Sequence, residues 1–293
     1  MRTKGDGPIF ITGLDHSGKT QLRLLLGRFP ELSLTRRTEL WSAPHARHSS
    51  LAEDRSLDVC LASLMTRPAV DAMVPDLQAL RVAFRAGSPT HSRLYELIHG
   101  MHAARQGAVR WGDQDSGIEL VSARVLRDLP LARVVHLVLD PRHRFQWVQR
   151  HGIARPGMVG ASTAAWVASA RRGADAAARY PSQYLLIRAE TIADGTGVAA
   201  LLGFLGLGQL APESGKPTRS SMPAVPIDDR DREFIESIAG EEMAVLGYAV
   251  KAAERRPPRG GLVYRRLGLA RYGLRMMRER ARQQMATRDG QAS

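Results

Sequence analysis

Apolar residues in this chain gather into short continuous runs, and most runs are followed by a stretch of helical spacing. The first run is Ile9-Phe10-Ile11, which passes through GLDHSGKT into the apolar-dense segment LRLLLGRF. That order predicts a strand, a loop and a buried helix. Val134–Leu139 predicts a second strand, stopped by Asp140-Pro141. Tyr184–Ile187 predicts a third, with a helix over 196–205 ending in FLGL. Leu94, Leu97, Ile98 and Met101 share one face of a helix predicted over 92–106, and a further helix is predicted over 231–247. Residues 36–60 read as loop and short helix, and the prolines at 68 and 75 break anything longer. Residues 211–229 are rich in Pro and Ser and read as a long loop. Strands apolar on both faces, alternating with helical patterns, belong in a parallel sheet covered on both sides.

Composition narrows the class. The 293 residues are 44% hydrophobic and 24% charged, which suits a globular core and excludes a disordered or collagen-like chain. The single cysteine, Cys60, excludes an internal disulfide and a cysteine-based zinc site, and fits a reducing cytoplasm. The N-terminal MRTKGDG leads into an apolar stretch too short for a secretory core, and no run of about 20 apolar residues follows. Charge is uneven: residues 251–293 hold twelve Lys and Arg against three acids, or +9 of the net +13. The remaining +4 spreads over residues 1–250, so nucleic acid is not an expected partner of the body. The expected organisation is therefore a domain over 1–250 and a basic linker and tail over 251–293.

Gly13-Leu14-Asp15-His16-Ser17-Gly18-Lys19-Thr20 satisfies the phosphate-loop pattern GxxxxGK[ST] in full. Glycines let backbone N–H groups converge on a phosphate, the helix that follows adds its dipole, and Lys19 supplies a charge to the outer oxygens. Two chemistries use such a loop. A kinase would bind ATP and magnesium through Lys19 and Thr20, with Asp140 as the second acid. A sulfotransferase would hold a nucleotide 5′-phosphosulfate there without a metal.

The remaining motifs resemble those of the bacterial sulfotransferases that use 3′-phosphoadenosine 5′-phosphosulfate (PAPS). PIFITGLDHSGKTQLRLLLGRFPEL is similar to PxFIxGxxRSGTTLLRxLLxxHPxL, and AVRWGDQDSG to GxxRWGDKTP. LPLARVVHLVLDPRHRFQWVQRHG is similar to FPxARFIHLVRDPRDVVxSxxxH, and YLLIRAETIADGTGVAALLGFLGL to YLxVRYEDLVxDPxxxLxxLxxFLGL. MAVLGY is similar to the closing MxxLGY, and RTELW at 37–41 sits where the family has an acidic residue followed by aromatics. The resemblance spans 8–248. It implies an α/β three-layer sandwich with a central parallel sheet and a P-loop-like phosphate loop. It also implies PAPS as co-substrate, no metal, and donor contacts from Gly13, Asp15, His16, Ser17, Gly18, Lys19, Thr20 and Gln21. The sequence departs from the family at the residues that grip the 3′-phosphate: the arginine is Leu139 and the serine is Trp147, while the lysine of KTP is Gln114. An arginine–phosphate contact contributes about 1.5–3 kcal/mol, so substitutes are expected, and Arg142, Arg144 and Arg219 are the candidates. A changed donor preference, or a binding protein that has lost catalysis, is the other outcome.

Sulfuryl transfer needs a base on the acceptor, a cation on the leaving oxygen and donors on the equatorial oxygens. Family position makes Glu39 the base; a solvated carboxylate at a helix start is the plain alternative. Lys19 would stabilise the leaving oxygen. His16 titrates near neutrality and is a second candidate base or donor ligand, with simple hydrogen bonding as its alternative. Asp113 is a candidate to contact the acceptor or orient Lys19, and Glu190 to fix the loop after its strand. His91, His99 and His102 lie near one another without a third spaced metal ligand, so a polar pocket wall or surface is expected there. The acceptor class is a hydroxyl or amine on a small molecule, glycan or lipid.

The tail carries the last signal. Val263, Leu267, Ala270, Leu274, Met277 and Ala281 form one helical stripe over 262–285, flanked by Arg271, Arg275, Arg278 and Arg282. A basic amphipathic C-terminal helix of this kind lies on an anionic membrane surface, or docks on the protein's own body or a second subunit. The expected location is the cytoplasm, with the inner membrane face included if the first alternative holds. Liposome flotation separates them. A membrane-binding tail carries the protein up with anionic vesicles at low salt, releases it as salt rises, and loses the effect on truncation at Pro257; no flotation at low salt leaves docking.

Overall fold

The computed structural model describes residues 7–42, 50–153, 158–208 and 227–250. Five strands, β1 (Ile9–Thr12), β2 (Leu32–Arg36), β3 (Arg110–Gln114), β4 (Arg133–Val138) and β5 (Tyr184–Arg188), form one sheet. The order is β2-β3-β1-β4-β5 and every pairing is parallel. Helix α1 (Lys19–Leu26) joins β1 to β2. Between β2 and β3 come α2 (Asp54–Met65), α3 (Pro68–Asp71), α4 (Leu77–Arg85) and α5 (His91–Arg105). Helix α6 (Ile118–Asp128) leads to β4, and α7 (Pro141–Arg150) with α8 (Val159–Arg179) leads to β5. Then follow α9 (Ala189–Ala193), α10 (Val198–Leu205) and α11 (Asp229–Val245).

The sheet is covered on both faces, as expected for an α/β sandwich. On one face Phe10, Trp111, Val134 and Tyr184 pack with Trp41, Leu61, Phe84, Ile98 and Val125. On the other, Ile9, Ile11, Val135 and Leu137 pack with Leu22, Leu25 and Leu26 of α1 and Leu201, Leu202 and Leu205 of α10. The alternation of strand residues between two cores is the period-two geometry of a strand. Each such side chain taken fully out of water contributes about 1.5–3 kcal/mol. A third cluster joins α7, α8 and α11 through Phe145, Trp166, Val167, Ile235 and Met243.

Strands β1, β4 and β5 and helices α1, α5, α10 and α11 match the sequence pattern closely. Strand β3 does not advertise itself, because RWGDQ has no apolar run, yet all five residues are buried. Its charges are satisfied locally: the Arg110 guanidinium donates to the carbonyls of Gly7 and Leu205. Strand β2 is a short edge strand whose last residue, Arg36, is exposed. Most of the loop expected at 211–229, including Arg219, and the tail with its helix expected at 262–285 lie outside the described residues. No helix among the described residues is long and apolar enough to cross a membrane.

Parallel pairing of β2, β3, β1 and β4 brings the segments that follow these strands to one edge of the sheet. That edge, at the carboxyl ends of the strands, is where open α/β sheets place ligands.

Candidate active site

The phosphate loop runs from β1 into α1, with Gly18 as the helix cap at φ 90. Gly13 sits at φ 120, and a Cβ there would overlap the Leu137 carbonyl and press on the His136 ring. Only glycine fits that corner. The first turn of α1, with Lys19, Thr20 and Gln21, leaves backbone N–H groups without intrahelical partners at the positive end of the helix.

Lys19 is drawn into the loop, and 5% of its side chain is exposed. Its Nζ donates to the carbonyls of Gly13 at 2.5 Å and Leu14 at 2.9 Å and to Ser116 Oγ at 2.6 Å, with Asp15 Oδ1 3.5 Å away. Burial pulls the ammonium down, the carboxylates of Asp15, Glu119 and Asp115 push back, and it settles at about 8. Ser17 is also buried, and its Oγ has no hydrogen-bond partner in the protein. A buried hydroxyl without a partner costs about 1–3 kcal/mol, so this donor inside the loop fits a phosphate oxygen.

Asp15 forms the outer rim of the loop. Its Oδ1 accepts from Ser116 Oγ at 2.9 Å and lies 3.4 Å from Arg37 Nη2. Burial pushes the carboxyl up, but Lys19, Ser116, Arg37 and His16 together hold it below the usual range. His16 takes a left-handed backbone, φ 65, and stacks its ring on Trp147 at 4.1 Å, while Trp147 stacks on His151 at 3.8 Å. Burial lowers the His16 imidazole, with Arg144, Lys19 and Arg37 adding to it against Asp15, so the ring is neutral near pH 7.

A second element faces the loop. Arg37 and Glu39, on either side of Thr38, both adopt left-handed backbones at φ 52 and 55. Each costs an L-residue about 1–2 kcal/mol, so the turn must be pinned from outside. Three bonds do so: Arg37 N–H to the Gln114 carbonyl at 2.9 Å, Thr38 Oγ1 to Asp113 Oδ2 at 2.5 Å, and Arg67 Nη1 to the Thr38 carbonyl at 3.2 Å. Glu39 is exposed on this turn rather than at a helix start. Asp113 is wholly buried and also accepts from Thr35 Oγ1 at 2.9 Å. Burial, with Asp115 nearby, pushes its carboxyl up to about 7 against the two threonine bonds. It therefore holds the turn, and the partner that orients Lys19 is Ser116.

A polar floor lies beneath the loop. His136, on β4, meets the Tyr184 hydroxyl at 2.7 Å and Ser169 Oγ at 3.1 Å, and Ser169 donates to Glu119 at 2.5 Å. The Glu119 N–H donates to Thr12 Oγ1 at 3.1 Å. Burial holds His136 down at about 4, so it is a neutral part of the floor.

The arginines expected at a 3′-phosphate separate. Arg142 pairs with Asp140 at 2.6 Å and Glu236 at 2.6 Å and donates to the Ala249 carbonyl, so its guanidinium is committed to two carboxylates. A donor contact from Arg142 would have to share the guanidinium with these partners. Arg144 instead reaches the loop, donating to the Asp15 carbonyl and to Ser162 Oγ, both at 2.9 Å. Leu139 is buried and its carbonyl accepts from Trp166. Asp140, the acid a magnesium enzyme would use, caps α7 through the Arg142 N–H and pairs with the Arg142 side chain. Glu190 does fix a neighbouring segment, accepting from the Asp140 N–H at 2.8 Å. His99 is a core residue stacked on Trp111 at 4.5 Å and held down at about 3 by burial, whereas His102 bonds Arg105 and Gln106 at the surface. Among the described residues no three side chains of metal-ligating type come together.

Arg37, Thr38, Asp115 and Ser116 are the site residues that motif reading missed. The signal was available in topology: β3 neighbours β1, so DSG after β3 must lie beside the loop after β1.

No protein-family model matches the chain. No curated protein matches it either. Among solved structures, a sulfotransferase from Alicyclobacillus acidocaldarius is 16% identical, covering 85% of this chain and 99% of its own, with a TM-score of 0.48. The sulfotransferase domain of the Synechococcus PCC 7002 olefin synthase is 19% identical, covering 93% and 98%, with a TM-score of 0.45. A sulfotransferase from Mycobacterium avium is 13% identical, covering 84% and 78%, also with a TM-score of 0.45.

The raised Asp113 carboxyl gives a signed expectation. The folded state holds its proton up to about pH 7 and the unfolded chain releases it near the ordinary carboxylate value of 3.8, so its contribution to stability is full at low pH and is lost as pH rises towards 7. Asp113→Asn removes that loss, so the melting temperature of the variant relative to wild type should climb between pH 5 and 8. A difference that stays flat with pH would show Asp113 to be ionised throughout.

Proposed function

We propose that the chain is a sulfotransferase that moves a sulfuryl group from PAPS to a hydroxyl or amine of a small-molecule, glycan or lipid acceptor. The observation that carries this reading is a phosphate loop with Lys19 drawn into it, faced by a pinned turn whose Arg37 reaches Asp15 and whose next residue but one is Glu39. The motif resemblance over 8–248 points the same way.

The 5′ end of such a donor fits the residues present. The N–H groups of Ser17, Gly18 and Thr20, the unpartnered Ser17 hydroxyl and Lys19 would hold it, with Gln21 and Gly13 shaping the loop. At the 3′ end, Leu139 and Trp147 stand where the family pattern has its ligands and Arg142 is paired with Asp140 and Glu236, so Arg144, which reaches the loop, is the candidate cation there. PAPS supplies the sulfuryl group and a nucleotide phosphate as leaving group. Lys19 neutralises charge on the bridging oxygen as the S–O bond breaks. Glu39 takes the proton of the acceptor O–H or N–H as its heteroatom bonds to sulfur, so charge and proton balance. His16, neutral and stacked, is placed to shape the loop and is the second choice as base. The kinase reading keeps the full GxxxxGKT match but finds Asp140 engaged as a helix cap.

Melting curves test the class. Adenosine 3′,5′-bisphosphate should stabilise the protein, by about 2.7 kcal/mol at a hundredfold excess over Kd, and ATP–magnesium should not; the reverse result installs the kinase reading. Lys19→Ala should remove most transfer and weaken the donor, whereas Glu39→Gln should lower kcat by about 10²–10⁴ with donor affinity unchanged. Full turnover in Glu39→Gln would dismiss it as base.

Titration adds a pH signature. Free Lys19 loses its proton above about 8, and a bound anion raises it, so binding takes up a proton in that range. Bisphosphate affinity should fall by up to about tenfold per pH unit above 8. Calorimetry in buffers of different ionisation enthalpy should register the uptake; pH-independent affinity from 7 to 9.5 would show that Lys19 does not meet the ligand.

A further inference from the structure

The pinned turn also delivers Arg37, and no motif accounts for it. The Arg37 backbone is held in the left-handed region by its N–H bond to the Gln114 carbonyl, next to Thr38 on Asp113. Its guanidinium reaches the phosphate loop and lies 3.4 Å from Asp15 Oδ1. That same oxygen lies 3.5 Å from Lys19 Nζ and accepts from Ser116. One carboxylate oxygen thus sits between two cations and a hydroxyl, at the mouth of a loop built to receive an anion.

The two cations differ in setting. Lys19 is buried, while Arg37 and Asp15 are 57% and 52% exposed. An exposed pair of this kind contributes about 0–1 kcal/mol, too little to justify two strained residues by itself. It is also weak enough to be exchanged for a better anion. Guanidinium prefers the paired oxygens of a tetrahedral oxyanion, which it can bind through two parallel N–H bonds.

We infer that Arg37 is the second cation of the phosphate loop, reading the outer, transferable group of the donor, and that the Asp15 carboxylate holds its place until the donor arrives. Lys19 and the loop amides serve the inner phosphate and the bridging oxygen. Arg37, entering over the solvent-facing rim, serves the terminal oxygens. The inference rests on the phosphosulfate reading above and adds to it a residue that distinguishes a loaded donor from a spent one.

Calorimetric titration without acceptor tests it, using PAPS and adenosine 3′,5′-bisphosphate on the full chain. Arg37→Ala should weaken PAPS by about ten- to a hundredfold and the bisphosphate by less than about twofold. Arg37→Lys, which keeps the charge without the fork, should recover part of the loss. Asp15→Asn should tighten PAPS several-fold (roughly three- to tenfold) by removing the carboxylate that competes with it. Equal losses for both nucleotides in Arg37→Ala, no loss for either, or weaker PAPS binding in Asp15→Asn overturns the assignment. If wild type instead binds ATP–magnesium and neither adenosine 3′,5′-bisphosphate nor PAPS, the sulfotransferase reading has failed. Arg37 is then judged on ATP against AMP, where a selective loss of ATP upholds it and an equal loss overturns it. If no nucleotide binds, both fall together.

Discussion

A lysine ammonium buried in a loop of carbonyl oxygens is the constraint around which this site is arranged. Lys19 has left bulk water, and its solvation is replaced by the carbonyls of Gly13 and Leu14, the Ser116 hydroxyl and the Asp15 carboxylate. Each replacement fixes something else. The Gly13 carbonyl can turn inward only because residue 13 has no side chain to meet the Leu137 carbonyl. Ser116 is in reach because β3 lies beside β1, an arrangement that buries Arg110, which donates to the Gly7 and Leu205 carbonyls, and Asp113, which accepts from Thr35 and Thr38. Glu119, at the start of α6, adds to the field that favours the charged ammonium. A cation kept dry in this way has a lowered proton affinity and gains most from an incoming anion, which is the state a phosphate-binding lysine needs before its ligand arrives.

Two departures from the sulfotransferase pattern turn out to be one. His16 replaces an arginine and Trp147 a serine, and the two rings stack on each other, with His151 closing the far face of the tryptophan. The phosphate loop is thereby held to α7 by ring contact. The consequence reaches Arg144, whose guanidinium now bridges the loop carbonyl of Asp15 and Ser162 on α8. Arg142 follows a different course, because Asp140 and Glu236 use it to tie α7 to α11. Two arginines one residue apart therefore do separate work, one tying helices together and one reaching the loop.

The parts of the fold written as apolar runs were legible: β1, β4 and β5 with the helices that follow them, and the phosphate loop by its glycines and lysine. Strand β3 was hidden because its side chains are polar and its burial depends on partners far off in sequence. A buried strand carrying Arg110, Asp113 and Gln114 has no signature that periodicity can find. The turn at Arg37–Glu39 was hidden for a related reason. RTEL contains no glycine or asparagine to announce left-handed backbone, and the conformation is imposed by Asp113, Gln114 and Arg67 from other elements. Glu39 could be singled out by motif, but its setting on a strained turn could not.

The strained turn and the buried acid beneath it also explain each other. Asp113 holds a proton more tightly than a carboxyl in water because it is fully enclosed and Asp115 lies near. Its two threonine partners come from β2 and from the turn itself, so the acid spans the junction where the edge strand ends. A neutral side chain of similar shape could make those bonds, and a smaller apolar one could not hold Thr38 at all. With the Gln114 and Arg67 bonds, the Asp113 contact holds the left-handed turn from which Arg37 reaches Asp15, so buried hydrogen bonding is converted into the placement of a charge at the surface.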